Sequence, residues 1–320
     1  MFLGDMNSQD IKYRSVQIEP TNRCNLRCRA CWHTLGDVKK SDNLNFSFFK
    51  IIIDQFNGIR DLNLQGLGEP FLAPDLLRMI TYAAGKGISV WLTSNFNTDM
   101  NKEFAQEVVR SGIAKIRISV DASSENQYSY IKRGGSLQKV INAISLFNKV
   151  KNELSSNFPV LAFNTIAMKS NIKDLKNIII LAHSLDIREI ALIPLVVFNK
   201  GLANKRESLS ADITLVKQYI EEIYKTAREL GIELEEGVSA MMLPKEMSLT
   251  HNEEPKCANG CYIDCLGFLY PCCNVKYFLG NFNDDRLIEM INSPRYQFFQ
   301  ENILTKKIDC ASCMEILNKG

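Results

Sequence analysis

Six short apolar runs between residues 14 and 196 alternate with stretches of helical periodicity, and a chain with that rhythm has few ways to fold. The runs are Ser15–Glu19, Asp61–Gln65, Ser89–Thr93, Lys115–Val120, Pro159–Ile166 and Glu189–Leu195. Between them lie helical stretches at Phe46–Phe56, Pro74–Lys86, Lys102–Ser111, Leu137–Asn148 and Ile172–Leu185, some ended by Gly as a helix C-terminus favours. Strands separated by helices pair in parallel through right-handed crossovers, so the expected fold class is α/β, a partial (β/α)6 TIM-like barrel. By analogy with such barrels, functional side chains belong at the C-terminal ends of the strands.

Cysteine placement is the second constraint. All ten cysteines lie near the two ends of the 320-residue chain, and none falls between Cys31 and Cys257. Three are packed as Cys24-Asn25-Leu26-Arg27-Cys28-Arg29-Ala30-Cys31, on the loop that leaves the first strand. Thiols at that spacing can hold three corners of a cubane iron–sulfur cluster and leave the fourth iron open. Zinc would require a fourth ligand, and only His33 stands nearby. The 38 basic and 36 acidic side chains leave a net charge of +2, so no footprint for nucleic acid or an anionic membrane stands out. The N-terminus lacks a signal-peptide pattern and no run of 18 apolar residues occurs, which implies a cytoplasmic protein whose thiols stay reduced. Only 23 residues precede Cys24, so no separate leader-recognition domain is expected there.

The triplet, with its flank Ile18-Glu19-Pro20-Thr21-Asn22-Arg23, resembles the signature of the radical S-adenosylmethionine (radical SAM) enzymes. The residue before the last cysteine, often aromatic in that superfamily, is Ala30 here, with Trp32 just after. The resemblance implies that Cys24, Cys28 and Cys31 ligate a [4Fe–4S] cluster whose open iron takes the amino and carboxylate groups of SAM. It also implies an external one-electron reductant of the flavodoxin or ferredoxin type, and reductive cleavage of SAM to a 5′-deoxyadenosyl radical.

The strand ends carry the remaining cofactor contacts that the resemblance implies. Gly66-Leu67-Gly68-Glu69-Pro70 is similar to the Gly-Gly-Glu motif that grips the SAM amino group, so Gly66, Gly68 and Glu69 are assigned to it. Thr93-Ser94-Asn95 and Ile118-Ser119-Val120-Asp121 resemble segments that meet SAM, giving Ser94, Asn95 and Ser119. As isolated features, Asn95 and Asp121 suit helix N-caps equally well. In Ile131-Lys132-Arg133-Gly134-Gly135 the guanidinium of Arg133 is matched to the SAM carboxylate, and Ile193 on the sixth strand to adenine. The sequence singles out no catalytic acid or base.

At the other end, Cys257, Cys272 and the pair Cys310-Ala311-Ser312-Cys313 suit either tetrahedral zinc or a cluster by spacing alone. The pattern Cys-x9-Gly-x4-Cys followed by Cys-x2-Cys resembles the SPASM and twitch modules. That resemblance implies one auxiliary [4Fe–4S] cluster ligated by Cys257, Cys272, Cys310 and Cys313, leaving Cys261, Cys265 and Cys273 unassigned, with Cys273 an alternative to Cys272. The expected domains are a barrel over 1–232, an acidic, Met-rich connector over 233–256 and a small cysteine-rich module over 257–320. The expected substrate is a small molecule or a peptide. A fully ligated auxiliary cluster favours two-electron oxidation of a small hydroxylated compound such as a sugar or aminocyclitol, and peptide crosslinking or epimerisation is the alternative.

Overall fold

The structure, a computed structural model, describes residues 13–36, 42–197, 200–209, 212–235, 260–273 and 277–304. Its strands in chain order are β1 (Ser15–Ile18), β2 (Asp61–Leu64), β3 (Ser89–Ser94), β4 (Lys115–Ser119), β5 (Val160–Ala167), β6 (Glu189–Pro194), β7 (Glu233–Glu235), β8 (Gly260–Ile263), β9 (Phe268–Tyr270) and β10 (Gly280–Asn281). The helices are α1 (Trp32–Leu35), α2 (Phe46–Ile53), α3 (Leu76–Gly85), α4 (Lys102–Arg110), α5 (Glu125–Ile131), α6 (Leu137–Glu153), α7 (Leu175–Ser184), α8 (Ile213–Leu230), α9 (Leu287–Ile291) and α10 (Pro294–Phe299). The six strands expected from the sequence form within about two residues of their expected ends. The short helices α1, α5, α9 and α10 and the strands β7 to β10 are additional. The chain divides into two compact units, one built from residues 1–23, 41–91 and 252–320, the other from 24–40 and 92–251.

In the first unit β1 is central. It pairs in parallel with β2, Ser15 opposite Asp61 and Ile18 opposite Leu64, and β2 pairs in parallel with the first half of β3. On its other side β1 pairs in parallel with β8, Val16 opposite Cys261 and Ile18 opposite Ile263. The strands β8 and β9 form an antiparallel hairpin, which β10 extends. Gly267, at φ +89°, occupies the left-handed region that this tight turn requires, and a side chain there would run into Phe48. Val16, Ile18, Leu62, Leu64, Ile263 and Leu269 are fully buried, and Phe49 and Ile52 of α2 belong to the same core. The Asn45 side chain caps α2 by accepting from the Phe48 amide at 2.8 Å, which is why the helix starts there.

In the second unit β4, β5, β6 and β7 form a parallel sheet, with Ile118 opposite Phe163 and Ile166 opposite Ile193. Residues 233–235, at the start of the expected connector, pair with β6 as β7. Residues 236–259, the remainder of the expected connector with Cys257, lie outside the described residues. Asn101 and Asp212 cap α4 and α8 through their carboxamide and carboxylate oxygens, and α8 ends at Gly231 with φ +63°. No helix among the described residues is long and apolar enough to cross a membrane.

Cys261 and Tyr262 are neighbours on β8 and therefore point to opposite faces of the sheet. Cys261 is buried beside Tyr13 and Tyr296, and burial pushes its thiol well above the usual thiol range. We expect Cys261→Ala to retain the iron content of the wild type and to cost about 1 kcal/mol of stability from the small cavity. Iron analysis of the reconstituted variant beside its thermal unfolding checks this, and a loss of iron would make Cys261 a ligand.

Candidate cluster and SAM site

In the second unit, the loop after β3 holds the start of the cysteine triplet. Asn95 donates through Nδ2 to Asn25 Oδ1 at 2.9 Å and lies 3.9 Å from Cys24 Sγ. Asn25 returns a bond to the Asn97 carbonyl at 3.1 Å, and Asn97 Nδ2 donates to Tyr128 Oη at 2.9 Å. The turn that makes this possible is tight. Phe96 is fully buried at φ +53°, and Ser94 Oγ and Asn95 Oδ1 accept from the Phe96 and Asn97 amides. A bulky residue at positive φ stores of order 1–3 kcal/mol of strain, which those bonds and the burial of the ring offset.

A second segment pins the middle of the loop. The Arg27 amide donates to the Arg133 carbonyl and the Arg29 amide to the Ile131 carbonyl, both at 2.9 Å. Arg29 also stacks over Tyr130 at 4.5 Å. Thus the Ile131-Lys132-Arg133 segment does meet the cysteine loop, through its backbone, while the Arg133 side chain is exposed. Lys132, between them, is buried, with Nζ 2.7 Å from Asp121 Oδ2. Burial opposes its charge, but the Asp121 carboxylate outweighs that and holds it protonated. The sequence offers Asp121 equally as a SAM contact and as a helix cap, and does not single out Lys132. The burial that pairs them has no local sequence signal.

All three cysteines of the triplet are half-buried, and none is in a disulfide. Cys31 accepts the first turn of α1 through its backbone, from the Thr34 and Leu35 amides. Burial pushes the Cys28 thiol up to about 12, Lys132 pulls it down, and Cys31 and Cys24 push it up, so the three sulfurs act on one another. A thiol-only set around a buried cation suits an anionic thiolate-bound cluster. Among the described residues no three His, Cys, Asp or Glu side chains close on a single ion. Ser94 is buried, while Ser119 and Ile193 are half-buried at the ends of β4 and β6.

In the first unit, the Gly66–Glu69 loop packs against the strand end that leads into the triplet. A side chain at Gly66 would collide with Glu19, and one at Gly68 with the carbonyls of Thr21 and Arg23. The Glu69 amide donates to the Arg23 carbonyl at 2.7 Å. Glu69 is buried, and its Oε1 accepts from the Phe71 amide at 3.3 Å, which caps the 3-10 turn Pro70–Leu72. Glu19 gathers three donors: the Leu67 amide at 2.5 Å, Tyr262 Oη at 2.9 Å and the Cys265 amide at 3.4 Å. This junction was not foreseen from the sequence, where Glu19 served only as part of a motif. Beyond it, Tyr270 Oη donates to Asp264 Oδ2, and Asp264 Oδ1 accepts from the Leu266 and Phe268 amides in the β8–β9 turn.

At the C-terminal set, Cys272 is half-buried and Cys273 exposed just beyond β9, Cys265 is buried in the turn, and Cys257, Cys310 and Cys313 lie outside the described residues.

Comparison with known proteins agrees with this chemistry. The family model described as the radical SAM superfamily matches residues 18–187, more than half of the chain, and the iron–sulfur cluster-binding domain SPASM matches residues 257–314. The chain belongs to the radical SAM superfamily. It is 26% identical over 314 residues to GTP 3′,8-cyclase of Clostridium botulinum, covering 91% of this chain and 92% of that one. It shares its fold with Streptococcus suis SuiB bound to S-adenosylmethionine, at a TM-score of 0.71 and 16% identity over 90% of this chain and 67% of that one. AdoMet-bound anSMEcpe superposes at a TM-score of 0.68 with 20% identity, over 89% of this chain and 82% of that one. The architecture is accordingly that of the radical SAM partial barrels, and the cofactors are a SAM-binding [4Fe–4S] cluster, an auxiliary cluster and SAM.

Two outcomes follow from the site. Anaerobically reconstituted protein should carry about eight irons, from two four-iron sets, and replacing Cys24, Cys28 and Cys31 together with Ala should remove about half. Zinc in place of iron in that triple variant would refute the auxiliary cluster. At Glu19, burial lifts the carboxyl above its ordinary range against hydrogen bonds from Leu67, Cys265 and Tyr262. The folded chain therefore binds the proton more tightly than the unfolded one, and stability contributed below about pH 4.5 falls as pH rises through the folded value. Thermal midpoints measured from pH 4.5 upward should show a shallower decline in Glu19→Gln than in the wild type.

Proposed function

We propose that this radical SAM enzyme oxidises a hydroxyl-bearing carbon of a small substrate by two electrons. The observation that carries the reading is the second cysteine set, matched over residues 257–314 to an iron–sulfur module, in a chain that already holds one cluster loop. When bound, SAM and the first cluster supply a hydrogen-abstracting radical, and the auxiliary cluster supplies an acceptor for one further electron. An alcohol that loses one hydrogen atom, one proton and one electron becomes a ketone, so the balance closes without an external oxidant.

The chain's own residues prepare this chemistry. Cys24, Cys28 and Cys31 hold the first cluster, and Asn95 and Asn25 fix the Cys24 end of its loop. Gly66 and Gly68 keep their loop close to the strand end before Cys24. The proposed SAM contacts are Gly66, Gly68, Glu69, Ser94, Asn95, Ser119, Arg133 and Ile193. Cys257, Cys272, Cys310 and Cys313 are the proposed auxiliary ligands, with Cys273 in reserve. The proposed domain division is a barrel over 1–232, a connector over 233–256 and a module over 257–320, with a flavodoxin- or ferredoxin-type protein as reductant and the cytoplasm as location.

The relatives support a sugar-type carbon. Their name, GTP 3′,8-cyclase, places the reaction at the 3′ position of a nucleotide, which is a ribose carbon. Peptide modification is the alternative; SuiB has been solved with its precursor peptide SuiA, and that likeness carries the fold alone.

Electron balance tests the proposal. Incubating the reduced enzyme with SAM and candidate sugars or aminocyclitols in heavy water should give one 5′-deoxyadenosine per product, with the product two hydrogens lighter than the substrate. A product of unchanged hydrogen content from GTP, or one carrying a solvent deuterium at the reacting carbon with no hydrogen loss, would refute the oxidation.

A further inference from the structure

The backbone bonds from Arg27 to Arg133 and from Arg29 to Ile131 tie the cysteine loop to the end of α5 on either side of Cys28 and Lys132. Each of these two residues lies one position from both bonds, and their side chains interact electrostatically. Lys132 does not turn out to solvent from there: it is buried, and Nζ is held 2.7 Å from Asp121 Oδ2. Asp121 is buried as well, and its other oxygen accepts from the Ile166 amide at 2.8 Å, so the carboxylate is fixed to the β5 backbone. A lysine ammonium is thereby fixed beside a cluster-ligand cysteine, in a setting where charge is poorly screened.

We propose that the Lys132–Asp121 pair sets the reduction potential of the cluster held by Cys24, Cys28 and Cys31, Lys132 raising it and Asp121 restraining the rise. Neither residue is a ligand; Lys132 is a positioning residue that acts through the field at the cluster. Reduction adds one negative charge, and a fixed cation stabilises the more negative state. Lys132 belongs to the segment bonded to the cysteine loop, whereas Asp121 is anchored to the β5 backbone, so the ammonium is the charge tied to Cys28.

Redox titration of the cluster-loaded enzyme followed by electron paramagnetic resonance reads the potential directly, with the auxiliary cluster as internal reference. Lys132→Met should move the midpoint of the SAM-site cluster to lower potential, Asp121→Asn should move it higher, and Lys132→Arg should stay near the wild type. The auxiliary midpoint should not move in any of them. A purely structural pair would give shifts of one sign or none, and either result overturns the proposal. If a single variant fails to retain iron, the double variant Asp121→Asn with Lys132→Gln replaces the ion pair by a neutral hydrogen-bonded one. Its midpoint should fall below the wild type, and an unchanged midpoint there is equally fatal.

Discussion

The cysteine loop has no regular structure until Cys31 opens α1, so its shape depends on bonds it borrows. Two backbone rungs from Ile131 and Arg133 hold its middle, and the Asn25–Asn95–Asn97 amide chain holds its beginning. Each lender is itself fixed by something less negotiable. Asn97 is tied to Tyr128 Oη and to the Ser136 amide at the start of α6, and the 131–133 segment closes the last turn of α5. Helix caps, a buried tyrosine and an ion pair therefore converge on a loop of eight residues. Since a cluster must find its thiols near the right places, this borrowed rigidity is what the rest of the second unit provides.

Glu19 plays the corresponding part in the first unit, by a different device. Its carboxylate accepts from the Gly66–Glu69 loop on one side and from the β8–β9 hairpin on the other. A buried carboxylate is expensive unless its oxygens are satisfied, and here three donors from two segments satisfy them. The absence of a Cβ at Gly66 is a consequence, because the space is already taken by the Glu19 side chain. Parallel pairing of β8 with β1 adds the hairpin to the same sheet edge, so the segment that begins the iron–sulfur module is part of the first unit's core.

The six strands, five of the helices and the cysteine triplet were legible because each is written locally, in periodicity, in the glycines that end helices, or in spacing. What escaped was set by partners distant in sequence. The strand β8 has only four residues and draws its stability from β1, some 245 positions away, and β7 exists because β6 offers an edge. Within Ile131-Lys132-Arg133 the sequence favoured Arg133 for its guanidinium. The structure buries Lys132 instead and exposes the Arg133 side chain, a distinction that depends on where Asp121 lies in the folded sheet.

That choice bears on how such a site tolerates change. A buried ion pair adds little to stability compared with an apolar pair of similar volume, yet losing one partner costs about 3–5 kcal/mol because a charge is left alone. The Lys132–Asp121 pair is thus a poor device for stability and a good one for placing charge. Its carboxylate is anchored to the Ile166 amide and its ammonium belongs to the segment bonded to the cysteine loop, so a side-chain rearrangement that relieved the burial would also move charge relative to the thiols. The same logic separates the two buried acids: Glu19 is satisfied mainly by uncharged donors and is pushed toward its protonated form, whereas Asp121 has a cation and keeps one in place. One organises backbone within the first unit, and the other organises field beside the cysteine loop of the second.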